Sequence, residues 1–249
     1  MQEPSLTSAG YPSPTWPTIF HVTHWKAGSQ WIYRILLDCC ADRIVPPELE
    51  NAQFLKKPIE SGKVYPTVYV TRDEYFSVDL PEHSYRFVVI RDLRDTLVSA
   101  YFSIRFSHPT ISPYLEEQRN ILNSISFEDG LLYLMDEFLP GCAAIVSSWV
   151  DSGERVIRYE DLLERDVQIL ESVLLDKCHL PVSRERLREA VEANRFERIT
   201  GGRPRGQEDV MAHERKAVPG DWKTYFTPRV TEAFKERYGI VLVTSGYER

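Results

Sequence analysis

The amino-acid sequence predicts a three-layer α/β fold, with a central, mostly parallel sheet flanked by helices. Three observations lead there. Short β-prone runs alternate with stretches of helical spacing along most of the chain. Phe87-Val88-Val89-Ile90 is continuously apolar, as a parallel strand covered on both faces requires. The 249 residues, 43% of them hydrophobic, suffice for one sizeable core. The expectation is a single domain over residues 17–249. An N-terminal arm over residues 1–16, rich in Pro and Ser, lacks the charged start and apolar run of a signal peptide.

Taken in order, Thr18–Val22 reads as the first strand. A Gly-containing turn follows, then a helix from Ser29 to Ala41 with Trp31, Ile32, Ile35, Leu36 and Cys39 on one face. Val64–Thr71 and Arg86–Ile90 are further strands, the second leading into a helix from Arg94 to Phe106. Phe127–Val150 carries an apolar helical pattern. Arg155–Arg158 is a short strand ending at Tyr159, and a helix is expected near Asp166–Cys178. Ser183 suits the N-cap of a helix running towards Asn194. Gly201–Arg205 with Gly206 is a Gly/Pro/Arg loop, a candidate mobile lid. Thr227 and Pro228 fit the N-cap and first position of a last helix reaching about Tyr238.

The formal net charge of −7 argues against nucleic acid or an anionic membrane as a partner, because both reward clustered Lys and Arg. Any anion site must then be local, and the basic clusters to consider are Arg91/Arg94, Arg203/Arg205 and Arg215/Lys216/Lys223. No apolar run approaches membrane-spanning length. Cys39, Cys40, Cys142 and Cys178 show no metal-ligand spacing, and adjacent cysteines seldom bridge, so reduced thiols and a cytoplasmic location are expected.

Three segments carry the chemistry. Thr23–Trp31 reads THWKAGSQW between a strand and a helix. Amides at a helix N-terminus point at whatever sits there, Gly28 permits close approach, and Lys26 adds a cation, so an anion is the natural guest. Lys26 precedes Gly28 and no GK[ST] follows, which disfavours an ATP·Mg²⁺ kinase. Phe87–Ser103 reads FVVIRDLRDTLVSAYFS and puts Arg91 at the carboxyl end of a buried strand, the edge that faces the ligand crevice in open α/β sheets. Ser99 lies about two helical turns further on. Arg215–Thr227 reads RKAVPGDWKTYFT, a loop of cations, a Pro-Gly turn and aromatics. Taken singly, each segment also fits an ordinary turn or a structural ion pair.

Together the three resemble the sulfotransferase family that uses 3′-phosphoadenosine 5′-phosphosulfate (PAPS), whose cytosolic members read close to YPKSGTTW, RNxKDxxVSYYHF and RKGxxGDWKxxF in that order. Val156–Asp166, VIRYEDLLERD, is similar to the family's FxxYEDLKxD. The resemblance runs from about Thr18 onward and implies a P-loop-like PAPS-binding fold with PAP as product. It also implies roles: Lys26 on the phosphosulfate and bridging oxygen, with Gly28, Ser29 and Gln30 completing that loop. Trp31 would stack on adenine, with Tyr159 and Phe196 at the adenine side. Arg91, Ser99, Arg215 and Lys216 would hold the 3′-phosphate. Sulfuryl transfer loads charge on the bridging oxygen, which a nearby ammonium stabilises, making Lys26 the main catalytic candidate. No metal is expected, since the sulfuryl group carries less charge than a phosphoryl group and no ligand cluster is visible.

The sequence departs from the family pattern at Ala27, Gln30 and Ala217, and above all where the family's KTH supplies a catalytic histidine. Here Val70-Thr71-Arg72 is followed by Asp73 and Glu74. The base must reach the acceptor's proton, so Asp73 and Glu74 are the candidates, with His24 a third and His108 expected in an acceptor-side loop. The missing histidine leaves open a PAPS- or PAP-binding protein without turnover. Val45–Tyr69 and Ser103–Phe138, rich in Tyr, Phe, Leu and Pro, are expected to line the acceptor pocket. They point to a small acceptor with an apolar or aromatic part, presenting a hydroxyl or amine.

Overall fold

The computed structural model describes residues 16–110 and 112–248, so that most of the expected N-terminal arm lies outside the described residues. Four strands, β1 (Thr18–Thr23), β2 (Val64–Val68), β3 (Ser84–Ile90) and β4 (Val156–Arg158), pair all-parallel in the order β2-β1-β3-β4. Around them run α1 (Ser29–Cys40), the short α2 (Ala52–Leu55) and α3 (Arg72–Phe76), α4 (Leu93–Phe102), α5 (Pro113–Ser124), α6 (Phe127–Glu137) and α7 (Leu139–Val150). The chain continues through α8 (Tyr159–Leu170), α9 (Arg184–Ala193), the short α10 (Phe196–Ile199) and α11 (Trp222–Tyr225), and α12 (Pro228–Thr244).

Alternation along the strands builds the three layers. Phe20, Val22, Val88 and Ile90 enter a core completed by Leu97 and Tyr101 of α4, Leu131 of α6, Trp149 of α7 and Phe234 of α12. Their neighbours Ile19, Phe87 and Val89 point the other way, into a second core with Ile32 and Leu36 of α1, Leu162 of α8 and Leu187 of α9. Each such side chain contributes about 1.5–3 kcal/mol on burial, and both faces of the sheet are covered, as the unbroken apolar run of β3 predicts.

Several boundaries differ from the sequence expectation. β2 stops at Val68 rather than Thr71 because the side-chain amide of Asn51 takes both backbone groups of Tyr69: Tyr69 N–H donates to Oδ1 (2.9 Å) and Nδ2 donates to Tyr69 O (2.9 Å). The helical pattern of Phe127–Val150 is two helices bent by 50°, since Pro140 has no N–H to continue the ladder. α8 starts at Tyr159, well before Asp166, with Glu160 and Asp161 favouring its positive N-terminus. α12 runs on to Thr244 with Leu242 buried. α5, capped by Ser112 with Pro113 in its first turn, was not expected.

The segment after α12 folds back onto the carboxyl ends of β3 and β4. Arg158 Nη2 donates to Ser245 O (2.9 Å) and Gly246 O (3.0 Å), Arg94 pairs with Glu248 (2.5 Å), and Tyr247 Oη donates to Glu160 (2.7 Å). Glu160 in turn accepts from Asp92 N–H (3.1 Å), next to Arg91.

Candidate active site

In this strand order, the chain leaves β1 towards one side and β3 towards the other, so the crevice between their carboxyl ends is where a ligand fits. A cavity of about 740 Å³ opens there. The two strand-end loops that floor it are joined. Arg91 Nη1 donates to Lys26 O (2.9 Å), and Arg91 N–H donates to His24 Nε2 (3.0 Å). Because Nε2 accepts, His24 carries its proton on Nδ1 and donates it to Trp25 O (3.0 Å). Burial pushes this imidazole down to about 4. With both nitrogens engaged and the ring fully buried, His24 is not available as a base, which corrects that expectation.

Lys26 sits in the left-handed region (φ 68°), unusual for a residue with a Cβ, and its ammonium donates to Ser103 Oγ (2.9 Å) at the end of α4. Burial, then the positive charges of Arg91 and Arg215, lower its pKa from 10.5 to about 8, with Glu214 opposing. Gly28, also left-handed (φ 85°), opens α1 with no side-chain cap. A Cβ there would lie 2.8 Å from the Tyr159 ring, so only glycine fits.

Lys26, Gly28, Ser29, Gln30, Trp31, Arg91, Ser99, Tyr159, Phe196, Arg215 and Lys216 all line this one cavity. Arg205 Nε lies 3.8 Å from Glu197 Oε1, and Arg91 Nε and Trp31 Nε1 at this end are buried with no hydrogen-bond partner among the described residues. Among those residues no carboxylate forms an ion pair with Arg91, whose guanidinium lies over Tyr159 (4.7 Å). Arg94, by contrast, is structural: it pairs with Asp92 (2.7 Å) and Glu248 and covers Trp222 (4.1 Å). Arg215 is held by Asp221 and Glu208, and Lys216 by Asp221 (2.6 Å). Asp95 fixes that loop by accepting from Gly220 N–H (2.7 Å) and Trp222 N–H (2.9 Å). Gly201–Arg205 is tied down rather than free-standing. Arg203 donates to Gln207 O, Glu214 O and Arg215 O, and Arg205 Nη1 donates to Leu163 O (2.5 Å).

The other end of the cavity is apolar and aromatic, with Trp25 stacked on Tyr69 (4.8 Å) and with Ile104, Leu115, Leu134 and Phe138 on its walls. Tyr69 Oη lies 2.8 Å from Ser29 Oγ, and burial pushes its phenol up to about 12. Asp73 and Glu74, the expected bases, do not line the cavity. Both are exposed, and Glu74 is spent in a capping box at the start of α3, accepting from Thr71 N–H (2.7 Å) and Thr71 Oγ1 (2.8 Å). The Thr-x-x-Glu spacing of Thr71 and Glu74 was the sequence signal for that structural role.

Two histidines do line the cavity, His108 and His213. α4 ends in a wide π turn (Ser103–Ser107) closed by His108 N–H donating to Ser103 O (2.7 Å), so His108 and Lys26 are anchored to the same serine. His108 Nδ1 lies 2.8 Å from Pro109 O, which takes a proton on that nitrogen and leaves Nε2 as an acceptor. Arg119 of α5 holds the segment from behind through Ile104 O (2.8 Å), His108 O and Thr110 Oγ1 (2.8 Å). His213, two residues before Arg215, escaped the sequence reading; burial and then the Lys26 charge lower its pKa. Among the described residues no group of three or more His, Cys, Asp or Glu is placed to hold a metal, and no single helix is long and apolar enough to cross a membrane.

The family model for the sulfotransferase domain matches residues 86–246, more than half of the chain. The chain belongs to the sulfotransferase domain family. Its chemistry is accordingly sulfotransfer. No curated protein matches its sequence. Among solved structures, this sulfotransferase is similar to mouse sulfotransferase SULT7A1 complexed with PAP (TM-score 0.63, 19% identity, covering 93% of this chain and 88% of that one). It is also similar to retinol dehydratase in a complex with retinol and PAP (TM-score 0.50, 16% identity, 92% and 82% covered). A further likeness is to retinol dehydratase with androsterone and PAP (0.50, 17%, 90% and 80%). At these identities the likeness establishes the fold of the sulfotransferase, an α/β sheet flanked by helices.

Proposed function

We propose that this sulfotransferase is a single-domain, cytoplasmic enzyme over residues 17–249 that moves the sulfuryl group of PAPS onto a hydroxyl of a small, partly apolar acceptor. The observation that carries the reading is the cationic end of the cavity. Lys26, Arg91 and Arg215 gather there, and burial together with the two guanidinium charges lowers the lysine's pKa. Like charges gathered at one end of a cavity repel one another, and a polyanionic nucleotide supplies the countercharge. That the structural neighbours were solved in complexes with PAP favours this nucleotide over ATP.

The 5′-phosphosulfate belongs at the uncapped N-terminus of α1, among Gly28, Ser29 and Gln30. Arg91 and Ser99, with Arg215 and Lys216, hold the 3′-phosphate, and Trp31, Tyr159 and Phe196 enclose the adenine. His108 replaces the missing motif histidine. Its free Nε2 takes the proton of the acceptor hydroxyl as the oxygen attacks sulfur. The bond from sulfur to the bridging oxygen breaks, and the ammonium of Lys26 stabilises the charge that collects there. Free thiols at Cys39, Cys40, Cys142 and Cys178 accord with a reducing compartment.

The test is a calorimetric titration with adenosine 3′,5′-bisphosphate beside AMP and ATP·Mg²⁺. Tight binding of the bisphosphate and much weaker binding of AMP is the expected result. A preference for ATP·Mg²⁺, or no binding of the bisphosphate, overturns the reading. Sulfation of no alcohol or phenol despite tight bisphosphate binding would instead support a nucleotide-binding protein without turnover.

A further inference from the structure

Tyr69 stands where the two ends of the cavity meet. Its ring is stacked on Trp25 (4.8 Å) at the apolar end, and its Oη lies 2.8 Å from Ser29 Oγ at the uncapped N-terminus of α1. Tyr69 and Ser29 both line the cavity. Local structure is committed to that placement. Glu50 and Asn51 take the left-handed region (φ 55° and 52°), which Asn tolerates better than most residues with a Cβ. The Asn51 amide then fixes both backbone groups of Tyr69 (2.9 Å each), so the phenol is anchored through its backbone as well as through its ring. Two hydroxyls that share one hydrogen bond have two protons between them and use one. Among the described residues neither Tyr69 Oη nor Ser29 Oγ has another partner. Burial pushes the phenol up to about 12, so it keeps its proton at neutral pH. A phenol is more acidic than an alkyl hydroxyl and the better donor, so Ser29 donates to Tyr69 and the Tyr69 O–H is left for an occupant of the cavity.

From this we infer that Tyr69 is a further catalytic residue, whose O–H donates to a non-bridging oxygen of the sulfuryl group. The inference rests on the PAPS reading of the nucleotide end. With the 5′-phosphosulfate at Gly28, Ser29 and Gln30 and the acceptor against Trp25, the sulfur lies between them, at the junction where Tyr69 Oη stands. Held there, the sulfuryl group keeps its far side towards the acceptor hydroxyl while its bond to the bridging oxygen breaks. A hydrogen bond to a charged oxygen is stronger than one between neutral groups, and a donor fixed in advance needs no reorganisation as the reaction proceeds.

PAP is PAPS without its sulfuryl group, so a comparison of the two isolates this bond. Both are titrated calorimetrically, without acceptor, into the full chain and into Tyr69→Phe, which keeps the ring on Trp25. In the variant PAPS is expected to bind about tenfold more weakly and PAP as before. A phenol that merely braces the start of α1 would instead weaken both nucleotides by the same factor and lower the melting temperature. That outcome, or an unchanged PAPS affinity, overturns the inference. Ser29→Ala removes the neighbour and leaves the phenol, so the ratio of PAPS to PAP affinity should stay at its wild-type value there. A ratio lost in Ser29→Ala and kept in Tyr69→Phe gives the role to the serine and overturns the inference. If Tyr69→Phe does not fold, Ser29→Ala decides alone in the same sense. Wild-type protein that binds neither nucleotide overturns the PAPS reading itself, a result distinct from PAP and PAPS binding equally well to wild type and Tyr69→Phe, which overturns only the role of Tyr69.

Discussion

At the scale of single residues, the site turns on a lysine whose charge is only just retained. Lys26 has its pKa lowered to about 8 by burial and by the neighbouring Arg91 and Arg215. Because kcat/KM reports the groups of the free enzyme, its value for PAPS is expected to fall above about pH 8 as the ammonium loses its proton. Lys26→Arg keeps the charge to far higher pH and should remove that alkaline limb; a limb that survives belongs to another group. His108→Ala is expected to lower kcat by about 10²–10⁴ with little change in nucleotide affinity, whereas His213→Ala should do far less. Equal losses in the two variants would move the base to His213 or deny both. The sequence made the meeting of Lys26, Arg91 and Arg215 legible, since each lies in a motif at a predictable strand or helix end. It did not make the place of His108 in the cavity wall legible beyond an acceptor-side loop, because His108 gets there through a π turn and the grip of Arg119, neither of which leaves a periodic signal. Asp73 and Glu74 were misplaced for the opposite reason. A strand expected to reach Thr71 ends at Val68, and the next residues cap a helix.

At the scale of elements, the Arg215–Trp222 loop is held in place by α4. Asp95 accepts two backbone N–H groups from it, a pair of bonds that no neutral side chain reproduces equally. Asp95→Asn retains one acceptor and turns an N–H towards the other donor. The KM for PAPS is expected to rise about tenfold while kcat changes much less. Steady-state kinetics at saturating acceptor would check this, and an unchanged KM would mean that Arg203 and the ion pairs of Arg215 and Lys216 hold the loop without Asp95. Helices with their own end signals, such as α9 behind Ser183 and α12 behind Thr227-Pro228, were readable from the sequence. The Ser112-Pro113 start of α5 carried the same signal and was passed over inside a stretch read only for its composition. The α6–α7 break needed Pro140 to outweigh an uninterrupted apolar pattern.

At the scale of the whole molecule, layer architecture was legible because β3 is apolar on both faces, whereas the order β2-β1-β3-β4 was not, since apolar runs do not say which neighbour they pair with. The same burial that makes the sheet stable makes it sensitive to acid. His21, bonded to Pro66 O (2.7 Å) and stacked on Phe87, lies within the inner strand β1 and His24 just past its end, both with pKa values pushed down to about 4 by burial. The unfolded chain protonates both near pH 6.5 and the folded one does not until about pH 4, so the unfolded state binds more protons across that window. Stability therefore falls as pH drops from 6.5 towards 4, by about 3 kcal/mol per histidine at the lower end. Thermal melts between pH 7 and 4.5 should show a steep decline that is lessened in His21→Gln; a flat profile would mean that the native state protonates them.

The back-folded segment after α12 gives the enzyme a remote fastener. Ser245 to Glu248 hold Arg158, Arg94 and Glu160, and Glu160 holds the amide of Asp92 beside the Arg91 that faces the cavity. Weakening those contacts is expected to slacken the Arg91 turn from a distance, so damage far from the cavity is read inside it.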